Sequence, residues 1–310
     1  MNKPPAGNGT LVSNGAAPSL RAQRLDPIES LPPAPPLSLE EMREEVERAL
    51  AEVEFPAPEG AERLAEAARY ALLGGGKRVR PILVMAAAQA FGVPVGEVLP
   101  TACAIELIHT NSLIVDDLPA MEDDIAILAG CALLSEAQRL ILADQPGSPH
   151  LRNRLLQAVL EATGTAGMVG GQFLDVTKYR PRDRDDLERL QMLKTGTLLV
   201  ASVRCGTLIA TDRTDPAFDS FAASLGSLFQ VVDDILDETG KARWLGKIPG
   251  SDRLAGRMTH VTMFGLRQAR ETAKGLHERS LESLAEIDAR VPGSTQPLRE
   301  IADLVYRRKQ

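Results

Sequence analysis

The chain has 310 residues, a formal net charge of −7, and 44% apolar residues with only 4% aromatic. A core of this size, built mainly on Leu, Ala, Val and Ile, favours helices over a β-sandwich. The acidic balance excludes a general nucleic-acid binder, which needs clustered Lys and Arg, but it leaves room for small anions held through metals.

Residues 1–38 are rich in Pro, Gly, Asn and Ala and close on Leu31-Pro32-Pro33-Ala34-Pro35-Pro36. Such a segment buries too little apolar surface to offset its ordering entropy, so a flexible tail is expected there and a single domain over 39–310. No basic stretch followed by an apolar one marks a secretion signal. The expectation is a cytoplasmic protein. Arg21 and Arg24 in a Ser/Ala/Pro leader keep a plastid address open, with Asp26 and Glu29 against it.

Order is expected from Ser38, a capping residue with Glu41 three positions on. Helices are then predicted over 39–53, 61–73, 81–91, 99–118, 125–143, 151–176, 183–210, 216–236, 258–287 and 298–308. Leu99 to Leu118 is apolar all round, as in a buried central helix. No stretch of similar length alternates with period two, and no uninterrupted apolar run reaches the roughly 20 residues of a bilayer span. Cys103, Cys131 and Cys205 lack zinc-type spacing and read as three reduced, buried thiols.

Three constellations carry candidate chemistry. Gly74-Gly75-Gly76-Lys77-Arg78-Val79-Arg80-Pro81 sets cations just ahead of a helix, an arrangement suited to anions though not a P-loop. Asp116-Asp117, followed by Glu122-Asp123-Asp124, ends the apolar helix. Carboxylates in that setting are costly to desolvate unless a cation meets them, and hard oxygens suit Mg²⁺. Pro119 leaves open which of the later acids reaches the metal. Asp233-Asp234 and Asp237 form the third group, with Asp233 and Asp237 four apart on one helix face and mutually repelling unless a cation joins them. Two such groups on separate apolar helices are how bundles build multi-metal sites. His109, seven residues before Asp116, shares its face and serves equally as a core histidine or a ligand contact.

Taken together, these motifs resemble the trans-isoprenyl diphosphate synthases, most closely those of the geranylgeranyl diphosphate synthase kind. Gly171-Gln172-Phe173-Leu174-Asp175, Lys194-Thr195, Phe229-Gln230 and the stretch from Leu245-Gly246-Lys247 to Arg257-Met258-Thr259 add to the likeness, which runs from about Glu40 onward. The resemblance implies an all-α antiparallel bundle around a deep cavity (the isoprenoid synthase fold), usually a homodimer. It implies Mg²⁺ on Asp116, Asp117, Glu122, Asp123, Asp233 and Asp237, with Asp234 beside them. Lys194 and Lys247 would grip an allylic diphosphate, joined by Thr195, Gln230 and Arg257. Lys77, Arg80 and His109 would bind isopentenyl diphosphate. Asn111, five residues before Asp116, stands where farnesyl-producing members carry an aromatic side chain, so a twenty-carbon product is expected.

One departure weighs against this reading. Members of the family follow the first acidic motif with an Arg-Arg-Gly stretch and a loop, whereas Asp124 here runs directly into Ile125-Ala126-Ile127. Losing two guanidinium contacts to diphosphate could cost several kcal/mol. An active synthase is expected. The alternatives are a silent subunit that modifies a homologous synthase in a heteromer, and a class I terpene cyclase, which would have no use for Lys77 and Arg80.

Overall fold

The computed structural model describes residues 36–117, 123–239, 250–254, 256–291 and 294–308, and of Asp117, Asp123 and Ser251 the backbone alone. Glu122 and Lys247 lie outside the described residues, as does the expected tail up to residue 35. Pro35–Gln310 form one compact unit. Fixed structure starts slightly earlier than the sequence suggests: Leu37 N–H donates to Gln89 Oε1 (2.8 Å), and Leu37 C=O accepts from Gln89 Nε2 (3.2 Å).

Among the described residues the elements are all helical. They are α1 Leu39–Ala51, α2 Glu62–Leu73, α3 Val79–Gln89, α4 Leu99–Asp117, α5 Asp123–Arg139, α6 Pro149–Thr163, α7 Met168–Val176, α8 Arg184–Gln191, α9 Thr197–Thr211, α10 Pro216–Thr239, α11 Ser251–Leu254, α12 His260–Phe264, α13 Leu266–Asp288 and α14 Gln296–Arg307. Ser38 closes a full capping box with Glu41 on α1. This matches the expected helical bundle, with two long elements divided. The stretch 151–176 breaks over Gly164–Gly167, and 258–287 breaks at Gly265, whose φ of 82° no helix continues through. The apolar periodicity runs on across both breaks, which is why it reads as unbroken in sequence.

α4 sits at the centre. Ala102, Cys103, Ala104, Ile105, Leu107 and Ile108 are all buried. It packs on α3 and α5, α3 packs on α9, and α10 packs on α9 and α13. Two stretches, Asp124–Asp144 and Arg184–Thr211, reach the length and apolarity of a bilayer span. Counting uninterrupted apolar runs does not find them, and both belong to the packed bundle. Cys103 and Cys205 are buried thiols pushed up to about 12 by burial. Cys131, expected inside, is exposed on α5, because the apolar stretch around it turns a second face outward with Ile127 and Leu128.

Candidate functional site

The glycine loop does two jobs. Gly75 and Gly76 take φ values of 85° and 141°, open only to glycine at low cost, so the chain turns sharply into α3. Three nearby cations, Lys77, Arg78 and Arg80, border one cavity and differ in what they meet there. Arg78 goes inward: its side chain is 3% exposed, and it donates to Glu47 Oε1 (2.9 Å), Glu106 Oε1 (2.9 Å) and Leu72 C=O (3.0 Å). In sequence it counts among the cations suited to diphosphate; in the structure it is a buried strut. Lys77 and Arg80 line this cavity of about 200 Å³, together with His109, Leu113, Leu199 and Phe229. Burial, followed by the charge of Arg308, lowers the Lys77 ammonium from its ordinary value. Burial brings Arg80 down to about 10, leaving it charged, and its Nε is hidden from solvent with no partner.

α4 and α10 both contribute to the wall of this cavity. Leu113 and Phe229 both line it, and helical spacing carries the acids one turn beyond each of them, Asp116 after Leu113 and Asp233 after Phe229. His109 is neutral: burial, then the charges of Arg80 and Arg78, push it down to about 3. It therefore offers a hydrogen bond rather than a charge.

The two acid groups are tied together by a single helical turn. α8 runs into a π-helical turn, Met192–Gly196, a distortion frequent at functional sites. Gln191 Nε2 donates to Asp234 Oδ2 (3.1 Å), and three residues on Lys194 Nζ reaches Asp116 Oδ1 (3.2 Å) and Asp175 Oδ2 (2.7 Å). Gln172 Nε2 also donates to Asp116 Oδ1. Gly171 makes this approach possible, since a Cβ there would stand 2.6 Å from Lys194 Cα.

On α10, burial raises the Asp233 carboxyl above the usual range against the pull of Arg308, Lys77 and Arg80. Burial also pushes Asp234 up to about 7, although His260 N–H (2.9 Å) and Gln191 donate to it. Asp237 Oδ2 accepts from Asp252 N–H (3.0 Å). Arg308 Nη2 stands 3.2 Å from Asp233 Oδ1, and its guanidinium lies 5.2 Å from the Phe229 ring centre. Acids with cations parked on them, Asp116 under Lys194 and Asp233 under Arg308, thus lie one helical turn from cavity residues Leu113 and Phe229, and the buried Arg80 Nε there has no partner.

A family profile described as polyprenyl synthetase matches residues 61–291. The chain belongs to this family, the trans-isoprenyl diphosphate synthases. Farnesyl diphosphate synthase of Escherichia coli (strain K12) is 38% identical to this synthase chain over 299 residues, covering 89% of the chain and 99% of the relative. The chloroplastic geranylgeranyl pyrophosphate synthase of Catharanthus roseus is 38% identical over 77% of the chain and 72% of the relative. A solved FPP/GFPP synthase from Zymomonas mobilis superposes with a TM-score of 0.74 at 32% identity, covering 86% of the chain and 98% of that structure. A Helicobacter pylori geranyltransferase described as complexed with magnesium and isoprenyl diphosphate gives 0.74 at 27% identity, covering 87% and 95%. The fold is that of the isoprenoid synthases.

In the synthase the remaining sequence candidates fall as follows. Thr195 lies in the π turn beside Lys194, and Gln230 is half-buried next to Phe229. Arg257 is exposed and pairs with Asp252 (3.3 Å). Asn111 turns toward α5, its Oδ1 occupying the space where a Cβ on Gly130 would fall. Sequence reasoning passed over Gln191, Glu106, Arg308 and the individual roles of Gln172 and Asp175. Only the last two carried a signal, through the Gly171–Asp175 motif.

Proposed function

We propose that this synthase joins isopentenyl diphosphate to an allylic diphosphate, head to tail and with Mg²⁺, to give geranylgeranyl or farnesyl diphosphate. The observation that carries the reading is the single turn of α8 and its π extension, which reaches Asp234 through Gln191 and Asp116 through Lys194 above a cavity holding Lys77, Arg80 and His109.

The donor set fits magnesium. The acids offer hard oxygens, which suit an ion that takes one or two carboxylates and fills its shell with water and phosphate oxygens. Asp116, Asp117 and Asp233 would hold it, with Glu122, Asp123 and Asp237 adjoining. When bound, it neutralises the departing diphosphate. The chain's own groups do the rest. Lys194 and Lys247 hold the allylic diphosphate. Lys77, Arg80 and neutral His109 hold isopentenyl diphosphate, Arg80 through the Nε that lacks a partner. Leu113, Leu199 and Phe229 exclude water from the allylic cation, which the isopentenyl double bond attacks. The proton released afterwards passes to the freed diphosphate. Positioning and charge stabilisation are the protein's contribution.

A homodimer is part of the proposal, supported by exposed Ile127, Leu128, Leu142 and Leu160 on α5, the turn after it, and α6. So is a cytoplasmic location, supported by three unpaired cysteines. A second reading, a silent subunit in a heteromer, is favoured by the absence of arginine between Asp116 and Ala137. The test is to incubate the purified protein with Mg²⁺, isopentenyl diphosphate and each allylic diphosphate, and to identify the products by chromatography. Prenyl chains support the synthase. Silence that a homologous synthase relieves supports the subunit, and cyclic hydrocarbon made from the allylic substrate alone overturns both.

A further inference from the structure

Gln191 closes α8 and is not among the residues read from the sequence as functional, yet it is half-buried against the acidic end of α10. Its Nε2 donates to Asp234 Oδ2 (3.1 Å), and the same oxygen accepts from His260 N–H (2.9 Å). Two neutral donors, one from α8 and one from α12, thus fix a single carboxylate oxygen. An ammonium in this place would offset the charge of the acid. An amide sets its direction and leaves the charge as it is.

The turn that follows explains how Gln191 comes to face Asp234. On a regular helix, residues three apart are neighbours on one face, so Gln191 and Lys194 would meet the same partner. Met192–Gly196 is instead a π turn, whose i→i+5 bonding inserts an extra residue and spreads the two side chains apart. Gln191 meets Asp234 on α10, while Lys194 meets Asp116 on α4 and Asp175 on α7. The turn is held against α10 by a separate contact, since a Cβ on Gly226 would stand 3.1 Å from Gly196 Cα. That backbone approach does not depend on the Gln191 amide, which is left with orientation as its task.

We propose that Gln191 is a positioning residue for the reaction. It fixes the Asp234 carboxylate in register with Asp116 and Lys194, so that the two acidic motifs are prearranged for one diphosphate and its divalent cations. Its action runs through Asp234 rather than through contact with substrate. This rests on the proposed function and deepens it, naming the side chain that keeps the α10 acids aligned with the α4 acids.

The test combines isothermal titration of the full chain with inorganic pyrophosphate in saturating Mg²⁺, steady-state kinetics and urea unfolding. It compares the parent with Gln191→Leu, Gln191→Glu, Asp234→Ala and the double variant Gln191→Leu/Asp234→Ala. Gln191→Leu removes the donor at similar volume. Gln191→Glu keeps the shape and sets an acid against Asp234, so each variant carries the test if the other folds poorly. Both should bind pyrophosphate about 10-fold more weakly, the scale of one hydrogen bond to a charged group. Both should lower kcat by roughly 10-fold or more through misplacement. KM for isopentenyl diphosphate should stay within about 2-fold, because Lys77, Arg80 and His109 lie on other elements. The urea midpoint of Gln191→Leu should match that of the parent. With Asp234→Ala already in place, adding Gln191→Leu should cost under about 2-fold in binding and in kcat. Equal losses in both backgrounds, a rise in the isopentenyl KM that matches the fall in kcat, or an activity loss that tracks a fallen urea midpoint overturns the inference while the proposed function stands. If the parent takes up no pyrophosphate with magnesium, the proposed function fails and the inference with it.

Discussion

Replacing Arg78 by methionine should destabilise the synthase by about 3–5 kcal/mol, the cost of removing one partner from a buried ion pair. The structure divides that figure between two acids. Glu47 is 32% exposed and regains water once abandoned, so its share is under about 1 kcal/mol. Glu106 is 5% exposed, and its Oε2 already lacks a partner, so losing Arg78 strands a charge inside the bundle. The Leu72 carbonyl loses a donor as well, for about 1 kcal/mol. Urea unfolding followed by circular dichroism would measure the loss, with the slope unchanged if the transition stays two-state. The pairing can be isolated with Glu106→Leu and the double variant Arg78→Met/Glu106→Leu. Once both charges are gone, the double should be more stable than the sum of the single losses predicts, by at least about 2 kcal/mol. A single variant costing under about 1 kcal/mol, or strictly additive losses, would refute the assignment of Arg78 as a structural strut.

Three other outcomes are expected. The His260 ring is held neutral, its pKa pushed down to about 4 by burial and by the charge of Arg184. Because the folded value lies below the unfolded one, this stability is whole above about pH 6.5 and drains as pH falls toward 4, by roughly 3 kcal/mol in all. Urea midpoints at pH 7 and pH 4.5 should converge in His260→Phe, and an unchanged acid loss would contradict the reading. Gly171→Ala should push Lys194 away from Asp175 and Asp116, lowering kcat/KM for the allylic substrate by 10-fold or more; steady-state kinetics at normal rates would show that the close approach does not matter. Asn111→Phe should move the product distribution toward fifteen carbons, and a chromatogram unchanged from the parent would remove Asn111 from chain-length control.

The fold was legible because α4, α9 and α10 carry apolar residues in numbers no surface helix would bear, and because Ser38 and Gly74 punctuate the chain where helices start and stop. The boundary inside 151–176 was not legible. Gly164-Thr165-Ala166-Gly167 contains only small residues, which interrupt no apolar pattern. In the site, the two acidic motifs announced themselves by their apolar flanks. The loop cations did not sort themselves: Lys77, Arg78 and Arg80 look alike in sequence. Arg78 is separated from the others by its left-handed backbone (φ 50°) and by Glu47, which α1 brings in from 31 residues away. Gln191 gave no signal because its meaning lies in a partner 43 positions further on.

The arrangement of charge explains how such a site can persist before any ligand arrives. Neighbouring carboxylates repel, and buried ones would rather be protonated, as the raised Asp233 and Asp234 show. The chain resolves this with its own cations. Lys194 stands on Asp116 and Arg308 on Asp233, while Gln191 and the His260 amide hold Asp234 with neutral donors. Both ion pairs are partly exposed, so each steadies a helix end without binding its acid tightly. Pairs of this kind can give way without unfolding anything, unlike a pair sealed in the core. The most buried pairing is that of Arg78 with Glu106, which border the same cavity as Lys77 and Arg80 but are 3% and 5% exposed and hold each other.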